Sequence, residues 1–457
     1  MNPGEKFRRD VVRMVSRKAR VSKDKLEKLL ERPPEEIGAD LALPCFTLDK
    51  KGPVKFAKNL AEKIKPSGLV REVNFYGPYV NFYADWGKLG DAVLKQILKE
   101  KDKYGSGKKT GKRILVEHTS ANPDGPLHLG HFRNSVIGDS LARIFEFSGN
   151  KVRTDFLVND TGRQIAIAAM EYMRKKPKVK GKPDWWILDL YVKGNRKVKK
   201  KKKLEEELKD MLQRFEAGDK ELRKHFRFIT QKCLEGHKET LGRLGIKIDK
   251  FSPESEYIFN GEVWKILQRI KKCKETKVDG NRVWMNLKKF GIEREFNLTR
   301  SDGTSMYTLR DLAYHKYKLS SADFNLNVMG TDQRLYFKQI VSTLKLIMPR
   351  EAEKYHIVFY EFLTLPGGSM STREGKFVSM DDLIEKAVKA AEKTASKKMP
   401  SYSKGLKSRI AEQVGIGALK YAMIRVSPEK TYAFSVKDCL SFEGDTAPYI
   451  QYSHARA

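Results

Sequence analysis

Residues 113–131 read RILVEHTSANPDGPLHLGH, and the organisation of the chain follows from this stretch. Its first six residues, 113–118, contain the apolar run Ile-Leu-Val and are typical of a short buried strand. The next residues are rich in Asn, Pro, Asp and Gly, and residues 132–148 then carry apolar side chains at helical spacing. The stretch therefore predicts a strand-to-helix turn. α/β proteins bind phosphate groups at such turns, because a helix N-terminus offers free N–H donors.

Two histidines, His128 and His131, lie three residues apart at the start of the predicted helix. At this spacing both rings share one helix face and can donate hydrogen bonds to the same phosphate. Fixed donors there also stabilise the charge that develops during phosphoryl chemistry. Gly130, between them, removes a side chain where a ligand must approach the backbone. Spacing alone leaves open a metal site, for which no third His or Cys lies nearby, or ordinary surface histidines.

The composition favours a nucleic-acid partner. The chain has 457 residues, with 91 Lys and Arg against 58 Asp and Glu, a formal charge of +33. Such a surplus favours a polyanionic partner over a mere solubility adaptation. Apolar residues make up 40% of the chain, without the run of about 18 that a membrane helix needs. The four cysteines form no CxxC pair, so we expect a cytoplasmic protein without a structural zinc site or disulfides.

Residues 1–104 are predicted to form a separate α+β module. Two helical patterns, near 4–31 and 53–66, precede a strand-like run at 73–83 that alternates aromatic and polar residues. A basic, glycine-containing linker at 103–113 then marks a domain boundary.

Residues 105–384 alternate strands and helices, which predicts an α/β domain with a parallel sheet and right-handed crossovers. The segment 174–290 breaks this alternation and predicts a subdomain inserted between two halves of the sheet. It contains a lysine run at 199–203, interpreted as a solvated loop, with RNA contact as the alternative. Residues 385–457 carry a helical pattern.

Several motifs resemble known sequences. HLGH at 128–131 resembles the HIGH signature of class I aminoacyl-tRNA synthetases, and its lead-in VEHTSANPDGP resembles arginyl-tRNA synthetases in particular. The sequels HFRNSVIGDSLAR and FLVNDTGRQ resemble the same family. Further motifs follow in the family's order: ADLALPCF (39–46), GPYVNFY (77–83), DLYVKGN (189–195), SMYTLRDLAYH (305–315), VMGTDQRLYF (328–337), SMSTREGK (369–376) and LSFEGDTAPYIQYSHAR (440–456). The resemblance covers nearly the whole chain.

The resemblance implies a Rossmann-type class I catalytic domain with an inserted subdomain. It also implies an N-terminal α+β domain that grips the tRNA elbow, and a C-terminal helical segment that leads into an anticodon-binding bundle. We expect this chain to lack most of that bundle. The family joins arginine to tRNA(Arg) through an arginyl-adenylate, so the partners implied are L-arginine, ATP with Mg²⁺ and tRNA(Arg). We expect a monomer with no membrane attachment and no protein-bound structural metal.

The resemblance assigns catalysis to His128 and His131, and we expect Arg373 to act with them. Contacts to ATP are expected from the two signature motifs: His128, Gly130, His131, Met370, Ser371, Arg373 and Lys376. The second signature, KMSKS in the family, corresponds to SMSTR at 369–373 and lacks both lysines. The compensating lysine that many arginyl enzymes carry before the first signature is replaced by Gly125. Arg373 is therefore predicted to stabilise the transition-state phosphate.

Arginine contacts are expected from six residues: Glu117, Asn122, His131, Tyr307, Asp311 and Gln333. A guanidinium is a planar fork of donors whose best partner is a carboxylate. Asp311 and Tyr307 share a helix face at i, i+4, and the resemblance assigns the guanidinium to Asp311. Taken singly, Asp311 could pair with Arg310 on the surface, Asn122 could cap the turn, and Gln333 could cap the following helix.

Aromatic residues of the strand-like run are candidates for stacking on tRNA bases: Phe75, Tyr76, Tyr79 and Phe82. Half of them are expected in the core, because a strand alternates its faces. Three functions stay open on the sequence: a synthetase, a nucleotidylyltransferase that uses HxGH on another small acid, and a noncatalytic tRNA-binding relative. Pyrophosphate exchange with arginine, with and without tRNA, distinguishes them.

Overall fold

The computed structural model describes residues 2–363, 378–431, 433–441 and 444–457. The chain forms two compact units, residues 1–107 and 108–457. Each unit has its own hydrophobic core.

The first unit packs helices on one small antiparallel sheet. Its helices are α1 (Pro3–Ala19), α2 (Lys23–Leu29), α3 (Pro53–Lys63) and α4 (Trp86–Glu100), and its strands are β1 (Leu41–Pro44), β2 (Val70–Tyr76) and β3 (Tyr79–Ala84). The strand order is β1-β3-β2. Apolar residues of α1 and α3 meet the inner face of the sheet. The single helical pattern near 4–31 is divided, because Arg20 has a left-handed φ of 56° that ends α1.

The run predicted as one strand at 73–83 is in fact a hairpin. Gly77, with φ 54°, and Pro78, which has no N–H, form a two-residue turn between β2 and β3. Phe82 is fully buried in the core, so its predicted role in base stacking is wrong. Phe75 packs partly against the same core and is likewise poorly placed to stack on a base. Tyr76 lies on the opposite face of the hairpin, away from the core, and is 69% exposed.

The second unit contains the remaining elements. Its strands are β4 (Arg113–Glu117), β5 (Lys151–Val158), β6 (Lys250–Pro253), β7 (Thr276–Asp279), β8 (Arg282–Met285), β9 (Phe296–Asn297), β10 (Phe324–Gly330) and β11 (Tyr355–Tyr360). Its helices are α5 (Leu129–Phe147), α6 (Arg163–Lys175), α7 (Pro183–Lys200), α8 (Lys202–Glu216), α9 (Lys220–Arg243), α10 (Glu254–Phe259), α11 (Glu262–Lys271), α12 (Tyr307–Ser321), α13 (Arg334–Ile347), α14 (Pro349–Ala352), α15 (Met380–Lys398), α16 (Lys404–Ile424), α17 (Val436–Cys439) and α18 (Ala447–Arg456). Short 3-10 turns occur at Glu35–Ile37, Cys45–Thr47, Lys101–Lys103, Lys288–Phe290 and Thr331–Gln333.

The main sheet is parallel throughout, in the order β11-β10-β4-β5-β6. This confirms the predicted Rossmann-type α/β fold. The chain leaves β4 toward β5 and later returns to β4's other side as β10. A crevice forms at the carboxyl ends of strands where the order reverses in this way, and ligands of α/β proteins bind there.

The segment predicted as an insertion, 174–290, differs from the prediction in two respects. It is not uninterrupted, because β6 pairs with β5 and so belongs to the main sheet. The lysine run 199–203 is not a loop: Lys199 and Lys200 end α7, and Lys202 begins α8. These lysines are exposed, so they are solvated as expected but lie on helix ends. Strands β7, β8 and β9 form a separate antiparallel sheet.

The strand register lines up polar residues at the carboxyl end of the sheet. Glu117 of β4 lies opposite Asn327 of β10 and Asp155 of β5. Just upstream, Leu115 and Val116 of β4 and Leu326 of β10 are apolar and buried, which anchors the row. Helix α5 packs closely on β4 because Gly138 has no side chain: a Cβ there would lie 2.3 Å from the His118 Cβ.

Candidate active site

One cavity of about 390 Å³ lies at the carboxyl ends of β4 and β10. It brings together residues from Glu117 to Phe362, which are far apart in the chain. Among the residues that line it are eight that the sequence analysis selected: Glu117, Asn122, His128, Gly130, His131, Tyr307, Asp311 and Gln333. They come from the end of β4, the start of α5, the start of α12 and the turn after β10.

The turn after β4 is held in a strained conformation. Thr119 and Ser120 both have left-handed φ angles, 69° and 34°. A non-glycine residue in this region costs on the order of 1–3 kcal/mol, so the surroundings must compensate. Helix α5 does so: the Asn134 amide oxygen accepts from the Thr119 N–H, and the Ser135 hydroxyl lies 2.7 Å from the Thr119 hydroxyl. The turn is therefore fixed relative to the helix start.

His128 and His131 stack face to face, with ring centroids 3.7 Å apart. His128 is the N-cap of α5, and its Nδ1 accepts from the Gly130 N–H at 3.1 Å. The His131 Nδ1 accepts from the His128 N–H at 3.4 Å. Burial lowers the pKa of His128 to about 4 and that of His131 well below its ordinary value. Both rings are therefore neutral near pH 7, and this hydrogen-bond pattern assigns the remaining proton of each to Nε2.

Gly130 makes room for neighbouring side chains of the protein itself. A Cβ at this position would lie 3.0 Å from the His128 Cε1 and 3.5 Å from a ring carbon of Phe362. Gly125 is similarly confined, since a Cβ there would lie 3.0 Å from Leu188 Cδ1. Its carbonyl accepts a hydrogen bond from the His237 ring at 2.7 Å. A lysine at position 125 would therefore have to displace Leu188.

Asp311 is held by Tyr336 and by His315, whose Nδ1 also lies 2.8 Å from the Asp311 carbonyl oxygen. The Tyr336 hydroxyl donates to Oδ2 at 2.6 Å, and the His315 Nδ1 lies 3.0 Å from Oδ1. Burial by itself would raise the pKa of Asp311, but His315, Lys318 and Tyr336 outweigh it and hold this pKa below its ordinary value. Each carboxylate oxygen offers two acceptor positions. One position on each oxygen is therefore left for a bidentate cation in the cavity.

The alternative partner for Asp311 is engaged elsewhere. Arg310 is buried, and its Nε lies 3.0 Å from Glu254 Oε2. Its guanidinium also donates to the Ser305 carbonyl at 2.7 Å. Tyr307, one turn before Asp311, is half-exposed and packs against Tyr336 with ring centroids 5.3 Å apart. The surface ion pair considered from sequence is therefore wrong.

The remaining predicted residues line the cavity wall. Glu117 is almost fully buried, and its Oε1 accepts from the Ser120 hydroxyl at 3.2 Å. The Asn122 amide oxygen accepts from the Asn159 side chain at 2.7 Å, which ties this side chain to the end of β5. Gln333 precedes α13, and its amide donates to Asp332 at 2.8 Å; among the described residues it makes no capping hydrogen bond.

Sequence reasoning missed Tyr336, His315 and Glu254. His315 could have been found, because it lies four residues after Asp311 on one face of α12. Glu254 follows β6 and lines the cavity; burial raises its pKa to about 7 despite Arg310. Neither Glu254 nor Tyr336 carries a local signal, since only the fold brings them to Asp311. The predicted ATP contacts Met370, Ser371, Arg373 and Lys376 lie outside the described residues.

A second, larger groove of about 860 Å³ follows the exposed face of α9. Five cations of this helix line it: Lys220, Arg223, Lys224, Arg227 and Lys238. Aromatic rings lie beneath two of them, with the Arg223 guanidinium carbon 3.8 Å from the Phe259 centroid and the Lys238 ammonium 4.6 Å from that of Phe251. Asp160 and Ser255 of this groove directly follow Asn159 and Glu254 of the cavity. The groove and the cavity therefore adjoin.

In the first unit, Tyr76 and Tyr79 flank the hairpin turn and line a cavity of about 300 Å³ with Pro33 and Pro34. The Tyr79 ring contacts Phe46 edge-on, with centroids 5.8 Å apart. Within the described part of the chain, His, Cys, Asp and Glu do not cluster in threes at metal-binding geometry. No helix in that part has the length and apolar character that crossing a membrane demands.

Comparison with known proteins identifies the family. A family model described as "tRNA synthetases class I (R), catalytic domain" matches residues 93–436, and one described as "Arginyl tRNA synthetase N terminal domain" matches residues 5–84. The arginine–tRNA ligase of Methanosarcina mazei is 41% identical over 427 residues, 93% of this chain and 74% of that protein. The corresponding ligase of Methanocaldococcus jannaschii is 38% identical over 439 residues, 94% of this chain and 76% of that protein.

Solved structures agree with these matches. The arginyl-tRNA synthetase of Thermus thermophilus superposes with a TM-score of 0.70 at 26% identity, covering 98% of this chain and 80% of that one. The enzyme of Plasmodium falciparum, at 18% identity and a TM-score of 0.66, covers 93% of this chain and 75% of that one and shares the fold. The resemblance inferred from the ordered motifs is confirmed, and the chain belongs to the arginyl-tRNA synthetase family of class I aminoacyl-tRNA synthetases.

Proposed function

We propose that the chain is an arginine–tRNA ligase. It activates L-arginine with MgATP to arginyl-adenylate and transfers the arginyl group to the 3′-terminal adenosine of tRNA(Arg). The observation that carries the proposal is one cavity in which the buried carboxylates of Glu117 and Asp311 accompany the paired histidines, while a third buried acid, Glu254, is paired with Arg310. Arginine has a cation at each end, and two acids in one cavity match it.

Asp311 takes the guanidinium in this proposal, because one acceptor position on each of its oxygens remains for the two parallel N–H donors. Tyr307 lies over the same end. Glu117, Asn122 and Gln333 take the amino end, together with His131. Lysine could reach Asp311 but could not fill both positions. Citrulline would leave a buried carboxylate without its counter-charge, which costs several kcal/mol.

ATP lies at the start of α5, where the helix dipole and the Nε2–H groups of His128 and His131 stabilise its phosphates. Gly130 and the predicted loop residues complete this half of the site. A carboxylate oxygen of arginine attacks the α-phosphorus in line, and the bond from this phosphorus to the bridging oxygen of pyrophosphate breaks. The 2′-hydroxyl of the terminal adenosine then attacks the acyl carbon, and AMP leaves. Catalysis rests on positioning and electrostatics.

The basic groove along α9 supports tRNA as the polyanionic partner. A strand of RNA in this groove would meet cations and aromatic rings, which is the combination that binds single-stranded nucleic acid. The groove adjoins the cavity, so a bound strand could extend its end toward the adenylate. Tyr76 and Tyr79 of the first unit remain candidates for stacking on tRNA. We further propose that the chain acts in the cytoplasm as a monomer.

Pyrophosphate exchange tests the proposal. Exchange that requires arginine, and that appears only when tRNA(Arg) is added, is the expected result. Exchange with another acid and without tRNA would show a nucleotidylyltransferase instead. Retained tRNA binding without any exchange would show a noncatalytic relative.

Arg373 is the predicted source of positive charge for the leaving pyrophosphate, since the loop lacks both lysines. We expect Arg373→Ala to lower adenylate formation by about 10² or more, the usual scale for a lost charge-stabilising donor. A change of less than about threefold would remove Arg373 from the site.

A further inference from the structure

Lys318 is a fully buried lysine that does not line the cavity. It lies near the end of α12, and its ammonium donates to Glu117 Oε2 and, at 2.8 Å, to the Asn327 amide oxygen. Aromatic rings enclose it, with the Tyr314 centroid at 4.6 Å and the Tyr355 centroid at 5.4 Å. Burying an ammonium is costly unless it is paired. The ion pair with Glu117 is therefore what stabilises Lys318 in this buried position.

The two oxygens of Glu117 have different surroundings. Oε2 receives both Lys318 and the Asn327 amide, which donates at 2.9 Å. Oε1 receives the Ser120 hydroxyl at 3.2 Å. Because each carboxylate oxygen accepts about two hydrogen bonds, Oε2 is filled and Oε1 keeps one open position. Glu117 forms part of the cavity wall, so this open position is the one that a ligand can use.

Lys318 is also the cation that offsets the buried Glu117 carboxylate. The neighbouring acid in the strand register, Asp155, is buried as well and is paired with Arg153 at 2.8 Å. Two adjacent buried carboxylates repel each other, and removing one partner of a buried ion pair leaves an uncompensated charge. Without Lys318, the Glu117 side chain would lose the contact that fixes its Oε2, and Oε1 would no longer be held at the cavity wall.

Helix α12 therefore reaches both acids of the cavity. Asp311, His315 and Lys318 follow at i, i+4 and i+7, which places them on one face of the helix. The helix supplies Asp311 directly and orders Glu117 through Lys318. A substitution on this face should therefore weaken binding at either the guanidinium end or the amino end of the ligand.

We propose that Lys318 is a positioning residue for amino-acid recognition: its ion pair with Glu117 Oε2 fixes this side chain so that Oε1 stays open to the α-ammonium of the substrate. This inference rests on the proposed function, which places arginine in the cavity. A merely structural lysine would stabilise the fold without affecting one end of the ligand more than the other. The two roles are therefore separable by ligands that differ only at the amino end.

The test compares L-arginine with 5-guanidinopentanoic acid, which is arginine without its α-amino group. Calorimetry in the presence of saturating tRNA(Arg) gives the dissociation constant of each for the wild type and for Lys318→Met. We expect the wild type to bind arginine more tightly than 5-guanidinopentanoic acid. The ratio of the two dissociation constants should be at least tenfold smaller in Lys318→Met. Lys316→Met is the matched control: Lys316 is on the same helix and pairs with Glu262 at 2.5 Å, away from the cavity. Its preference should stay within about twofold of wild type.

Equal weakening of both ligands, or an unchanged preference in Lys318→Met, would overturn the role of Lys318 while leaving the proposed function intact. A wild-type chain that binds both ligands equally, or neither, would overturn the proposed function and this inference with it. If Lys318→Met does not fold, Lys318→Gln keeps a hydrogen-bond donor without the charge and should show the same loss. Lys318→Arg should restore the preference.

Discussion

Replacement of Asp311 by asparagine tests the guanidinium site most directly. The change is nearly isosteric, so the cavity keeps its shape, and the one remaining oxygen can still accept from Tyr336 or from His315. What is lost is the charge and one of the two acceptor positions that face the cavity. The amide group that replaces one oxygen would point its own N–H donors at the N–H donors of arginine.

The structure sets the expected size of this loss. Two hydrogen bonds to a charged group contribute about 1.5–3 kcal/mol each, and removing one partner of a buried ion pair costs about 3–5 kcal/mol. The two ranges overlap at about 3–5 kcal/mol, which corresponds to between about 150-fold and 5,000-fold in binding. We therefore expect kcat/KM for arginine to fall by that factor in Asp311→Asn.

Arginine-dependent pyrophosphate exchange with saturating tRNA(Arg) measures this effect. The KM for MgATP should stay within about twofold of wild type, because Asp311 does not contact the histidines at the start of α5 in this proposal. In the variant, the inhibition constant of citrulline should approach the dissociation constant of arginine. Asp323→Asn is the control, since Asp323 forms an exposed ion pair with Arg113 at 2.7 Å and should change activity less than threefold. A fall of less than tenfold in kcat/KM for arginine, or an equal rise in the KM for MgATP, would refute the assignment.

Three further predictions follow from buried and exposed groups. Burial lowers the pKa of His237 to about 4 from an ordinary 6.5, so the protein takes up a proton on unfolding between these pH values. The free energy of unfolding should therefore fall as the pH drops from 6.5 toward 4. In urea titrations of His237→Gln, this free energy should depend less steeply on pH, by up to about 1.4 kcal/mol per pH unit, which corresponds to one proton. An unchanged slope would show that this ring is not kept neutral. Arg227→Ala should weaken the binding of all tRNA sequences alike and reduce the slope of log K against log salt concentration by about one. An unaltered slope would show that the RNA does not contact Arg227. Phe82→Ala should destabilise the first unit by about 3–5 kcal/mol, whereas Tyr76→Ala should leave thermal stability unchanged and weaken tRNA binding by about 1–3 kcal/mol if the ring stacks on a base.

Much of the second unit could be predicted from local pattern. The strand at 113–117, the turn and the helix that follows are encoded within 35 residues, and apolar runs and helical periodicity are signals that do not need the rest of the fold. The same holds for α12 and α13. The hairpin at Gly77 and Pro78 was within reach as well, since both residues are turn formers, but the alternation of aromatic residues continued across the turn and concealed it.

Other features had no local signal. The strand β6 is only four residues long, and it belongs to the main sheet solely because Lys250–Pro253 pair with β5. The break between α7 and α8 within a lysine run was also hidden, because lysine is a good helix former and is equally common in loops. In both cases tertiary contacts decide between local conformations that differ little in free energy.

The amino-acid sequence by itself determined the kind of residue available at each end of the ligand: acids at 117 and 311, imidazoles at 128 and 131, and a large surplus of cations. It could do so because those residues sit in short motifs whose spacing has a direct geometric meaning. Only the tertiary structure decided which of them act on one another. The ammonium of Lys318 reaches Glu117 across 201 positions of sequence, and the hydroxyl of Tyr336 reaches Asp311 across 25. These contacts exist because β10 pairs with β4 and brings along the helices on either side of it in the chain, α12 and α13, whatever the length of chain that connects them.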